Sequence, residues 1–160
     1  STLDTPAGAD FLDAMSVFKR TDLLLVGALL AVFLFGWRLG EPDVMYYDEV
    51  YHVKTARELI ALSNYTETAH PPMGKLFISF AILAFGDHPW VWRLVALLAG
   101  SGSIALVYLI TKKLTQDFWV ALMAGYLFTL DQISLTQARI AMLNSTMLVF
   151  MLLALYFLLP

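Results

Sequence analysis

Asp48 and Glu49 are adjacent carboxylates, with Tyr47 before them and His52 one helical turn beyond. His70-Pro71-Pro72-Met73-Gly74-Lys75 follows in the same polar stretch. A carboxylate or imidazole can take the proton of a hydroxyl, and burial raises a carboxyl group towards the basicity such a task needs. Neighbouring helical residues point roughly 100° apart, so these two acids are not placed to share one proton. One can enter a cavity while the other holds a neighbour. Spacing alone favours a plainer reading, a solvated helix start whose acids sit at the positive end of the helix dipole. Asp48 and His52 share a helical face, but two ligands lacking a third make a poor metal site, so no protein-held metal is expected. A hydrogen bond from His52 or His70 to a carboxylate or phosphate is the preferred reading.

Three cations could complement that chemistry. Arg93 lies in an apolar run, where an arginine is costly unless paired or facing a polar cavity. Its planar fork matches carboxylate or phosphate oxygens. Snorkelling to a nearby interface is the competing explanation. Arg139, with Gln137 beside it, opens another apolar run, and Lys75 follows the two prolines. Together Arg93, Arg139 and Lys75 could clamp a phosphate. Lys54 and Glu58, four apart, read instead as a solvated surface pair.

The elements that must position these residues are apolar. The 160-residue sequence is 59% hydrophobic and 14% charged, with mean hydropathy +0.71. Soluble domains average about 45–50% apolar and about 25% charged, so the expected class is an all-α integral membrane protein. The net charge of −3 gives no argument for nucleic acid. With no cysteine, disulfides, thiol catalysis and Cys-ligated zinc are excluded for this sequence.

Residues 1–20 read as a tail, with a short interfacial helix and a frayed end as equal alternatives. Residues 21–160 read as one transmembrane domain with spans at about 21–39, 90–111, 114–130 and 140–159. Pro42 ends the first span. The loop 40–89 is expected to hold juxtamembrane helices at about 46–62 and 74–86. The second of these is too short to span and is stopped by Gly86-Asp87-His88-Pro89. Residues 131–139 read as a polar turn. Lys19-Arg20 and Lys112-Lys113 mark the cytoplasmic side by the positive-inside rule. The N-terminus is then cytoplasmic, and the loop 40–89 and the turn 131–139 share the exoplasmic face.

Tyr47-Asp48-Glu49-Val50-Tyr51-His52, followed by His70-Pro71-Pro72-Met73-Gly74-Lys75-Leu76, resembles the protein O-mannosyltransferases, a branch of the GT-C membrane glycosyltransferases. Trp92-Arg93-Leu94 and the segment from Leu130-Asp131 to Arg139 extend the resemblance over roughly residues 20–150. It implies a GT-C-type set of N-terminal transmembrane helices with short interfacial helices in the first exoplasmic loop. It implies transfer of mannose from a polyprenyl or dolichyl phosphate to protein Ser/Thr hydroxyls, with inversion. Asp48 would be the catalytic carboxylate, and Glu49 would help hold acceptor or donor. Arg93, Arg139 and Lys75 would meet the lipid phosphate, with His52, His70, Gln137 and Tyr47 in support. The partners implied are membrane lipid, the lipid-linked sugar and a protein acceptor, in a bacterial inner membrane or the endoplasmic reticulum, with the active loop facing the periplasm or lumen. Asn144 departs from the family's usual Asp. Family members also have more spans, so the sequence is expected to be the N-terminal part of a longer enzyme or a shortened relative. Two other readings stay open: a GT-C transferase of the aminoarabinose type acting on lipid or glycan, and a non-catalytic membrane subunit.

Overall fold

The structure, a computed structural model, describes residues 36–64 and 67–159, together with Gly27 and Val32. The expected tail and most of the expected first span lie outside the described residues. Among the described residues, the helices with described bounds are, in order, α1 Glu49–Ile60, α2 Met73–Phe85, α3 Pro89–Thr115, α4 Phe118–Thr129, α5 Gln132–Arg139 and α6 Leu143–Leu158. No strand occurs among the described residues.

Local chemistry explains the boundaries. Pro89 occupies the first turn of α3, where its missing N–H costs nothing. At the other end Gln116 adopts the left-handed conformation and donates its N–H to the Lys112 carbonyl. The Asp117 carboxylate accepts the N–H groups of Trp119 and Val120 and so starts α4. Asp131 starts α5 by accepting the Ser134 N–H at 2.8 Å. Gly86 closes α2 with φ of 89°, a conformation that suits glycine.

α3 is the axis of the fold, packing against α2, α4, α5 and α6. Its beginning lies near the start of α6, because Ala141 and Arg93 meet the same carboxylate. Its end lies near the end of α6, where the Lys113 ammonium donates to the Leu159 carbonyl at 2.7 Å. α3 and α6 therefore run side by side in the same direction, and α4 with α5 makes the return path. Gly100 permits the close crossing of α3 and α5, since a Cβ there would lie 2.5 Å from the Ala138 Cβ. One apolar core joins Val53, Ala56, Ile78, Ile82, Val91, Trp92 and Ala141. Leu39, Leu97 and Ala138 form a second.

The expected spans change in detail. At 27 residues, α3 is the one described helix long and apolar enough to cross a membrane by itself. It extends about 40 Å against a hydrocarbon core of about 30 Å. α4 has 12 residues and α6 has 16, about 18 and 24 Å, so neither fills the expected span alone. α4 and α5 pass the same test only as a pair bent by 64°. The segment 131–139 is a helix and not a polar turn: Asp131 caps it, and Leu135 and Ala138 turn one face into the core.

Candidate active site at one end of the helix bundle

The two adjacent carboxylates have separate environments. Glu49 is fully buried. Its Oε1 accepts from Arg93 Nε at 2.9 Å and from the Ala141 N–H at 2.9 Å. Its Oε2 accepts from Arg93 Nη2 at 3.0 Å and from the Tyr46 N–H at 3.1 Å. Asp48, at the start of α1, is half-buried, and its side chain makes no capping hydrogen bond. No hydrogen bond or ion pair to a described residue occupies its carboxylate. Tyr47, directly before it, has φ of 50°, an uncommon conformation for a bulky residue, and is exposed. The chain thus turns sharply where Asp48 emerges.

Arg93 is 1% exposed, so it does not snorkel. Besides Glu49 it donates to the carbonyls of Leu39 and Pro42 through Nη1 and of Val44 through Nη2, each at 2.9 Å. All five guanidinium N–H donors have acceptors. The expected three-cation clamp on a phosphate is therefore not formed. Lys75 is likewise fully buried, with its ammonium against the Glu67 carboxylate and the carbonyls of Glu67 and His70, each carbonyl at 3.0 Å. Arg93 and Lys75 brace the loop from within.

Arg139 differs from both. It is half-exposed, donates to the Trp37 carbonyl at 2.7 Å, and lines an open cleft of about 660 Å³ with Trp37, Arg38, Glu41, Pro42 and Asp43. Arg38 pairs with Glu41 at its rim. Gln137 lines another space, a small, partly open pocket of about 30 Å³ shared with Ser103, Ser134 and Asn144. That is room for about one water molecule.

His52 and His70 come together, ring centroids 5.2 Å apart and edge to face. His52 is 1% exposed, and its Nδ1 has no hydrogen-bond partner. Burial, then the neighbouring His70, lowers its pKa against the opposing pull of Asp48 and Glu67. His70 Nδ1 lies 3.2 Å from Glu67 Oε1, the histidine–carboxylate contact expected from sequence. Glu67 itself was not singled out. Lys75, with help from His70, lowers its pKa to about 2. Its place three residues before His70 is the signal that could have pointed to it. His52, Glu67 and His70 offer ligand atoms within 4.8 Å of one another and are the described residues that could hold a metal.

These features define an all-helical, membrane-type chain with an open carboxylate, a braced loop and an arginine-lined cleft at one end. Comparison with known proteins names the family that this class resembles. Residues 84–160 match the family model of dolichyl-phosphate-mannose-protein mannosyltransferase. Polyprenol-phosphate-mannose–protein mannosyltransferase of Mycobacterium tuberculosis is 28% identical over 144 residues, 85% of this chain and 28% of the relative. Protein O-mannosyl-transferase 1 of Danio rerio is 28% identical over 149 residues, 82% of this chain and 21% of the relative. Dolichyl-phosphate-mannose–protein mannosyltransferase 4 of Candida albicans is 24% identical over 149 residues, with 82% and 20% covered. The resemblance read from the motifs is borne out: the chain is similar to the protein O-mannosyltransferases over most of its length. It spans about 28% of the length of the first of these relatives. No solved structure matches it.

Proposed function

We propose that this chain carries the acceptor-activating part of a polyprenyl- or dolichyl-phosphate-mannose-dependent protein O-mannosyltransferase. The observation that carries the reading is the division between Asp48 and Glu49. Glu49 is saturated by Arg93 and two backbone amides, while Asp48 keeps an unoccupied carboxylate beside it. Asp48 takes the proton of a Ser or Thr hydroxyl as that oxygen attacks the anomeric carbon of mannose. The bond from that carbon to the phosphate oxygen breaks, and the phosphate leaves with the bonding electrons from the opposite face, inverting the centre. A leaving phosphate needs cationic stabilisation more than protonation, and Arg139 at the open cleft supplies it. Arg93 and Glu49 are positioning residues. They tie the segment 39–49 to α3 and to the turn at Ala141, two residues past Arg139, so base and arginine keep a fixed relation.

The site belongs at the exoplasmic surface of the membrane, where a lipid-linked donor can present its headgroup while its tail stays in the bilayer. α3 crosses, the bent α4–α5 pair returns, and Lys112-Lys113 lies on the cytoplasmic side.

The whole protein, in detergent or nanodiscs, should transfer mannose from polyprenyl-phosphate mannose to a Ser/Thr peptide and not to a lipid acceptor. Transfer to lipid alone would move it to the aminoarabinose-type reading, and no transfer to either would leave a non-catalytic subunit.

A further inference from the structure

The polar cluster under α1 has a feature that mannosyl transfer does not use. His52 Nδ1 is buried without a partner, and a buried nitrogen left unpaired is costly. Around it stand a second imidazole and a carboxylate. His70 Nδ1 and Glu67 Oε1 are 3.2 Å apart, close to the roughly 3.3 Å that separates two ligands of a tetrahedral ion at about 2.0 Å. All three ligand atoms lie within 4.8 Å of one another, so modest side-chain rotation closes the set.

We propose that His52, Glu67 and His70 form a site for a divalent transition-metal ion of the zinc type. Two imidazoles and one carboxylate favour such an ion over magnesium or calcium, which prefer oxygen ligands. Three protein ligands leave the fourth tetrahedral position for water or a substrate oxygen. The sequence lacked a visible third ligand, and Glu67 and His70 complete the set. Lys75 is the opposing charge, because its ammonium rests on Glu67 Oε2. Oε1 accepts the Ala69 and His70 N–H groups at 2.7 and 3.1 Å and faces the His70 ring, and the ion takes the place of the contact with His70 Nδ1. The ion pins the 67–70 segment to α1 one turn beyond Asp48, fixing the approach to the open carboxylate.

Cobalt(II) tests the site without any sugar transfer, so the result stands apart from the function proposed above. The whole protein, stripped with chelator in detergent, is titrated with Co²⁺ and followed by visible absorption. The expected result is one equivalent bound with the intense bands of a low-coordinate cobalt centre, displaced by Zn²⁺. His52→Gln and His70→Gln should each weaken binding at least tenfold. Absence of those bands in the unsubstituted protein, whatever the fate of the variants, overturns the proposal. So does unchanged binding in both variants.

Discussion

Two ionic clusters, one wholly buried and one reaching the surface at His70, lie at the same end of the molecule, and they are finished to different degrees. In the first, Arg93 and Glu49 are both 1% exposed or less, and every strong donor and acceptor on them is matched. In the second, His52, His70, Glu67 and Lys75 are interlocked, yet one buried imidazole nitrogen is left over. A saturated network fixes geometry, and an incomplete one has capacity for another group. Conserving shape is the work of the first, and it leaves Asp48, its neighbour in sequence, open for chemistry.

The sharpest way to break this contrast is Arg93→Ala. It strands a buried carboxylate and three backbone carbonyls, and should cost about 3–5 kcal/mol, read as a large fall in thermal midpoint in detergent. A midpoint within a degree of the unsubstituted protein would mean that water replaces the pair.

The second cluster should respond to acid. Glu67 has its carboxyl lowered to about 2 from an ordinary 4.5, so its folded-state pKa lies below its unfolded one. Its stabilising contribution is full above about pH 4.5 and is lost as pH falls towards 2. Glu67→Gln should flatten the pH dependence of the thermal midpoint between pH 5 and 3, where the unsubstituted protein falls. Parallel curves for the two would place the acid sensitivity elsewhere.

The smallest effect belongs to a strut outside both clusters. Arg57 donates to Asp87 at 2.7 and 3.1 Å and lies over the Trp92 ring, and Trp92 also donates to Asp87. The pair is partly exposed, so Arg57→Ala should lower stability by only about 1 kcal/mol by denaturant titration. A loss as great as that of Arg93→Ala would erase the distinction between buried and exposed pairing.

Much of this contrast was legible in the sequence, though not all of it. Adjacent helical positions diverge, so one acid holding a neighbour and the other facing outward followed from Asp48 and Glu49 alone. An apolar-run arginine announced that Arg93 needs a partner, but its choice depends on a carboxylate 44 residues away and on carbonyls of an irregular loop. Periodicity carries no such information, and Arg93 was assigned to a phosphate instead. Glu67 escaped for a similar reason, because the turn leading into Pro71-Pro72 brings it to Lys75. α5 was hidden by its brevity, although Asp131 and Ser134 already had the spacing of a helix cap. The sequence stretches 46–62 and 74–86 read as helical; α2 lies within a residue of those bounds, and α1 begins three residues later and ends two earlier than expected.

The central claim is that Asp48 does chemistry while Glu49 holds the structure. Asp48→Asn and Glu49→Gln in the whole protein, each measured for mannosyl transfer to a peptide and for thermal midpoint, put that to the test. Asp48→Asn should lower the transfer rate by about 10²–10⁴-fold with the midpoint unchanged, whereas Glu49→Gln should lower the midpoint. An Asp48→Asn protein that transfers at the unsubstituted rate would contradict the account.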